Sequence, residues 1–460
     1  MARLKKGALK GKGGPGPSKG PKKAKISAVK DSQAQPCTEE QTQKAKLTLP
    51  MMAANQAAFS FGNNVAPPFF SYYLIRLGGN AFHLGIMQAF SYLFTNGLQL
   101  PSAYLSDRTG RRVPFIVAGI GISALVFLLI TQFRDLWVII ILISIQAAAM
   151  SIYMPAWSAL VGDEITCVNR GTILSEITEA SIAAGLMGTV TSFLFLSMSP
   201  DKDAHSFVLP FLAGAVSFFL AVIFILVVKE NPAKKVLRVL EFEKTDSKFL
   251  YMTKIQWGYN FFMSISWPLF PLTIAKVLGA TNGQIAILTL ITILTTAAFQ
   301  PLAGKLLDRI GPVPMIQASR YVFVLVPFVY AFARNITMLY AWCILEGIMA
   351  ALVNVSFISY ILDSSPPDTR AEYFAYYNMG LGMVTFAGTF LAGALVVLLQ
   401  YYTSWTLAFI LLVIYMFSGA GRIVSSIPFA WLKDPDKNPS PPGQMAHAKM
   451  ELVRWLRRKH

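Results

Sequence analysis

Between Pro50 and about Leu432 the chain alternates long apolar runs with short polar breaks. Twelve runs of roughly 18–28 residues, mostly free of charge, fall at 51–75, 81–105, 113–133, 136–161, 172–197, 207–228, 251–275, 283–305, 313–333, 337–361, 373–398 and 404–422, named spans 1 to 12. Each is long enough to cross a hydrocarbon layer of about 30 Å as a helix. Only helices or closed barrels satisfy every backbone group in a bilayer, and the runs lack the alternating pattern of a barrel strand. The pattern predicts an all-α multi-pass membrane protein. Residues 1–48, rich in Lys, Gly and Pro without an apolar period, read as a disordered basic tail. At the other end, residues 433–460 form a second basic tail. There Met445, Ala448, Leu452, Trp455 and Leu456 share one helical face, flanked by Lys449, Arg454, Arg457 and Arg458, the pattern of an interfacial helix.

Composition agrees: 54% of residues are hydrophobic and 14% charged, more apolar surface than a soluble globule buries. Charge then sets orientation. Of the 40 Lys and Arg, 33 lie in the N-terminal tail, the even-numbered loops, the C-terminal tail or, as Lys254 and Lys305, at the adjoining span ends, and five (Arg76, Arg134, Lys202, Lys276, Arg334) lie opposite. The positive-inside bias therefore puts both termini in the cytoplasm, and the plasma membrane is the expected location. Arg320 and Arg422 are expected to snorkel from inner span ends. The net charge of +17 reflects this topology. The basic N-terminal tail reads as a passive enforcer of topology or as a contact for anionic lipid, with nucleic acid behind both. No apolar run precedes Pro50, so the first span is expected to direct insertion itself. Cys37, Cys167 and Cys343 fall in a tail, a loop and a span, which is no disulfide framework. The histidines are scattered without metal-ligand spacing, no GxxxxGK[ST] occurs, and no nucleophile–base constellation appears. A metal, a cofactor and an enzymatic activity are not expected.

Displacing the chain by 201 residues overlays its halves. Pro67 meets Pro268, Gly78 meets Gly279, His83 meets Gln284, and Asp107, Arg108 and Gly110 meet Asp308, Arg309 and Gly311. At a displacement of 200, Asp163 and Arg170 meet Asp363 and Arg370. The domains are thus a six-helix bundle at 49–228, a charged linker at 229–249 and a second bundle at 250–432, the parallel repeat of transporters with a midplane site between halves.

The loop Asp107-Arg108-Thr109-Gly110-Arg111-Arg112 resembles the signature G-x-x-x-D-[RK]-x-G-[RK]-[RK] of the major facilitator superfamily, with Ala103 in place of the first glycine. Its second copy has Gly304, Asp308, Arg309 and Gly311, with Pro312 and Val313 replacing the basic pair. The resemblance covers about 50–432 and implies the fold of two six-helix bundles, with spans 1, 4, 7 and 10 around a central cavity. It also implies that the loop acts as a gate on the cytoplasmic side, with Arg170 and Arg370 at the facing helix starts.

The polar census agrees with that cavity, because Asn63, Asn64, Gln146, Tyr153, Trp257, Asn260, Trp267, Glu346 and Asn354 lie on spans 1, 4, 7 and 10. Any one of them is equally a helix–helix contact. Glu346, near the middle of span 10, would cost at least about 2.5 kcal/mol as an unpaired carboxylate, so it is protonated, paired or wet. It is the leading candidate for proton coupling, followed by Glu176 and Glu179, three apart on span 5. Span 4 lacks the arginine motif and span 5 the Gly-Pro motif of many drug exporters of the resembled family. The function expected is secondary transport, by alternating access, of a small neutral or cationic organic solute by a monomer. The rival reading is a non-transporting receptor or scaffold that keeps the fold.

Overall fold

The computed structural model describes residues 39–164, 170–199, 202–228, 230, 247–365 and 370–434, with backbone alone at 39–47, 163–164, 170–174 and 371. Most of the two tails and of the linker, Cys37, Cys167 and the expected interfacial helix lie outside the described residues. Among those described, the elements are helices and no strand occurs. Nine stretches are long and apolar enough to cross a membrane: Val113–Gln132, Leu136–Gly162, Ser175–Met198, Ala204–Val227, Asn282–Ile310, Pro312–Phe332, Ile336–Ser364, Glu372–Tyr402 and Leu407–Trp431. These are spans 3 to 6 and 8 to 12. Spans 1, 2 and 7 are helical but broken, as Glu39–Val65, Pro67–Phe69 and Phe70–Arg76, as Ala81–Gly97 and Gln99–Thr109, and as Ser247–Ser266, Leu269–Leu272 and Thr273–Val277. The face where span 1 begins and span 12 ends is called the tail face, and the opposite one the far face.

The breaks have a local cause that the repeat duplicates. Pro67 and Pro268 lack the N–H that would continue the helix, so the first span of each half bends at the same place. Each then turns on a glycine with positive φ, Gly78 (97°) and Gly279 (66°), a conformation that a Cβ disfavours. The next helix opens in both halves with a capping box. Asn80 accepts from His83 N (3.2 Å) while His83 Nδ1 accepts from Asn80 N (3.4 Å). Thr281 and Gln284 repeat the exchange at 3.2 and 2.9 Å. The register of His83 with Gln284 thus marks equivalent helix starts. The same second spans end on Gly110 (φ 67°) and Gly311 (φ 78°).

The bends free carbonyls that side chains then take up. Phe69 N turns to Ala66 O, leaving Val65 O to accept from Ser192 Oγ at 2.6 Å. In the second half, Trp267 N bonds Ser264 O rather than Met263 O, and Phe323 O has Pro327, without an N–H, four residues on. Arg422 supplies both missing donors, to Phe323 O at 2.9 Å and to Met263 O at 3.0 Å. Its side chain is fully buried. Arg320 is buried as well, its guanidinium 4.6 Å from the Phe357 ring centroid and 5.2 Å from that of Tyr259. Neither arginine snorkels as its place in the sequence suggests. Span 12 does not stop at 422 but runs on through Leu407–Ser426 and Ile427–Trp431, which puts Arg422 well inside the bundle.

Candidate functional site

The two halves meet at the far face. Arg76 donates to Ala280 O at 2.6 Å and to Asn282 Oδ1 at 3.0 Å, Lys276 donates to Gly79 O at 3.0 Å, and Asn282 Nδ2 donates to Asp203 O at 3.0 Å. Gly79 and Ala280 are equivalent under the repeat, so each half extends a cation to the same carbonyl of the other. Below this clasp spans 2 and 11 touch backbone to backbone. A Cβ on Gly393 would stand 2.8 Å from Ala81 O, and one on Gly85 2.9 Å from Gly393 Cα. Ring contacts continue the seam downward, Phe82 with Phe390, Phe90 with Phe386 and, between spans 2 and 7, Tyr92 with Trp267 at 5.0 Å. The seam reaches Asn378 Nδ2 and Gln99 Oε1, 3.1 Å apart. Nearer the tail face, Arg108, Glu176, Glu179, Asp308 and Arg309 are exposed and Asp107 is half-exposed. The described contacts join the halves at the far face and along the seam down to Asn378 and Gln99, and the charged residues nearer the tail face are exposed.

The expected cavity residues divide into two sets. Tyr153 is fully buried, stacked on Phe59 at 4.1 Å, and donates to Gln56 Oε1 at 2.9 Å. Gln56 and Ser60 in turn meet Ser181 of span 5 at 3.4 and 2.6 Å. Asn260 is buried and donates to Thr385 Oγ1 at 2.6 Å, and Gln146 is buried on span 4. Tyr153 and Asn260 thus join helices within a half in this conformation. Asn63, Asn64, Trp257, Trp267 and Glu346 keep partial exposure, and Asn354 is exposed. Asn64 is anchored to Ser60 O at 2.8 Å, and Trp257 donates to Tyr377 O at 3.1 Å with its ring over Gly380, where a Cβ would collide at 2.0 Å. Glu346 lies ten residues into Ile336–Ser364, about 15 Å down the helix at 1.5 Å per residue. It makes no hydrogen bond to another described residue.

At the tail face Asp107 pairs with Arg112 at 2.5 Å, and Arg112 Nη1 donates to Ser106 Oγ at 2.9 Å. Arg111 is exposed. Arg370 begins the helix of span 11 and is exposed. The side chain of Arg170 lies outside the described residues. Glu230, from the linker, accepts from the backbone N–H groups of Arg112 and Val113, the latter at 3.0 Å, and so caps the start of span 3. Sequence reasoning missed Glu230, Ser181 and the clasp. The clasp left a trace, since Arg76 and Lys276 are two of the few cations on the far side and both flank the repeated glycine turn.

The sequence profile of the Major Facilitator Superfamily matches residues 52–255 and again 252–459. An uncharacterized MFS-type transporter of Methanocaldococcus jannaschii is 23% identical over 337 residues, 70% of this chain and 81% of that protein. The staphylopine export protein of Staphylococcus aureus is 26% identical over 102 residues (22% of this chain, 25% of that one). An MFS antiporter of Candida albicans is 31% identical over 134 residues (29% and 26%). The chain thus spans about a quarter of the length of these last two relatives. Among solved structures, the nucleoside transporter NupG superposes with a TM-score of 0.62 at 14% identity, over 84% of this chain and 98% of that one. A bacterial homolog of the human lysosomal transporter Spinster, inward-facing and occupied, gives 0.63 at 11% identity, over 84% and 96%. Two halves built of membrane-length helices and joined at the far face define a multi-pass membrane protein. The chain belongs to the major facilitator superfamily, and it is a transporter and not an enzyme.

Proposed function

We propose that the protein moves a small organic solute across the plasma membrane by alternating access, with its tail face in the cytoplasm and a proton coupled through Glu346. The observation that supports this reading is the one-sided distribution of contacts: the halves are clasped at the far face, the charged residues of the tail face are exposed, and Asn63, Asn64, Trp257, Glu346 and Asn354 retain exposure. In the opposite state, Asp107 lies against the free N–H groups at the start of span 11, and Asp308 against the start of span 5, as latches on the tail face. The relatives and similar folds carry names of nucleoside transport, of staphylopine export and of antiport, so the solute's class is taken from the chemistry of the walls. Amide and indole groups suit a neutral solute. The guanidiniums of Arg320 and Arg422, buried in the second half, add positive charge to that interior and weigh against a cationic solute.

The test is flux in proteoliposomes under an imposed pH gradient, with nucleosides, sugars, amino acids, dipeptides and a cationic dye as the panel. Gradient-driven flux of a neutral member is expected. Glu346→Gln should flatten its pH profile while exchange without a gradient persists. An unchanged profile in that variant removes Glu346 from coupling and moves attention to Glu176 and Glu179. Absence of flux across the whole panel favours a receptor that keeps the fold.

A further inference from the structure

At the tail-face end of the second half, three span ends distant in sequence border an open cavity of about 320 Å³ lined by Ser247, Lys248, Tyr251, Tyr360, Trp431 and Lys433. Its walls are fixed by hydrogen bonds. Tyr360 Oη donates to Lys433 O at 3.1 Å and lies 3.4 Å from Lys248 O, Tyr251 Oη donates to Pro428 O at 2.9 Å, and Lys248 Nζ donates to Asp434 O at 3.3 Å. The start of span 7, the end of span 10 and the segment after span 12 are thereby tied into one rim.

Basic and aromatic side chains dominate the described rim, with Lys248 and Lys433 beside Tyr251, Tyr360 and Trp431. Among the described acids, Asp434 places Oδ1 3.7 Å from where a Cβ of Gly311 would stand, against the turn between spans 8 and 9. Trp431 is 65% exposed and Tyr251 is exposed beside it. Tryptophan and tyrosine next to lysine, at the end of a membrane span, mark the headgroup level, and a basic concavity between spans at that level is the form that recognises a lipid phosphate. Exposed aromatics and lysines alone would belong to any interfacial belt. The cavity, with its size within the range that takes a small polar group and its rim fixed by backbone-directed bonds, is what a belt does not require.

We propose that this cavity binds the phosphate of an anionic phospholipid headgroup from the leaflet on the tail face, with Lys248 and Lys433 as its cations and Trp431 and Tyr251 against the glycerol and upper acyl region. Occupancy braces the start of span 7 against the end of span 12.

The experiment is thermal unfolding of the full-length protein in a neutral detergent with added dioctanoyl phosphatidylglycerol, the matched phosphatidylcholine, glycerol 3-phosphate or inorganic phosphate. Phosphatidylglycerol should raise the midpoint by about 1–3 °C near saturation, and the other three should not. The shift should disappear in Lys248→Gln/Lys433→Gln, and fall by at least half in Lys433→Gln alone, whose side chain is exposed and outside any span. Lys254→Gln/Lys305→Gln, which removes the same charge from exposed positions elsewhere near that face, should keep it. An equal shift with phosphatidylcholine, its survival in the double variant, or its loss in the control overturns the proposal. A full shift from inorganic phosphate alone overturns the lipid as its source.

Discussion

Arg422 shows how a charge ends up inside a membrane bundle. A guanidinium stays protonated, and on an insertion scale it costs about 2.5–3.5 kcal/mol at the centre of a span. What offsets this is a pair of carbonyls, Phe323 O and Met263 O, that the bends of spans 9 and 7 leave without donors. Each buried carbonyl left unmet costs about 1–3 kcal/mol. Arg320 meets no such pair of carbonyls among the described residues; its guanidinium lies over two rings, Tyr259 and Phe357, and 3.9 Å from the Met263 sulfur. Arg422→Met is therefore expected to lower the thermal midpoint of the purified protein by several degrees, and Arg320→Met by less. The reverse order of midpoints would show that the ring contacts, rather than the freed carbonyls, hold the second half together. This role was illegible in the sequence, because it depends on prolines at 268 and 327 acting on residues that meet Arg422 only after three helices pack. The turn glycines of the repeat, Gly78, Gly110, Gly279 and Gly311, were legible, because each marks a break between apolar runs.

At the scale of elements, the sequence showed where helices turn but not how the halves approach each other. The positions matched by a displacement of 201 became the bends, the positive-φ turns and the capping boxes of both halves. The Gly85–Gly393 contact has no such register, since each glycine sits singly in an apolar helix where small residues are common. Its meaning appears only when spans 2 and 11 cross with backbones touching. Overpacking of a tight contact typically costs about 1–3 kcal/mol, here charged only to the state closed at the far face. Gly393→Val is thus expected to shift the balance by about 5- to 150-fold toward opening there. Ala81, buried at the crossing, reports it. A cysteine at position 81, in a background without the three native ones, should react faster with an impermeant maleimide once Gly393 is valine. Equal reaction rates in the two backgrounds would mean that the crossing yields locally and does not govern the far side.

Across the whole molecule the proposed alternation sets the two ends against each other. The clasp of Arg76 and Lys276 exists only while the far face is shut, and the proposed latch of Asp107 only while the tail face is shut, when Asp107 turns from Arg112 toward span 11. Their strengths are unequal. Two charged donors on carbonyls contribute about 1.5–3 kcal/mol each, whereas an acid at a helix start contributes about 0.3–1 kcal/mol. Removing the clasp should therefore shift the population further than removing the latch, and in the opposite direction. Spin labels at exposed Gln132 and Ser404, one in each half at the far face, give the readout as a distance distribution. Arg76→Ala/Lys276→Ala is expected to lengthen the mean distance. Asp107→Asn, which keeps the side chain's shape and removes its charge, should narrow the distribution toward the short, clasped distance. The three changes combined should fall between, closer to the clasp variant, because sites at opposite faces share no partner and their free energies add. A distribution unmoved by Asp107→Asn would leave this acid as no more than the partner of Arg112 in a basic turn. A combined variant identical to the clasp variant would show that the far face alone sets the conformation.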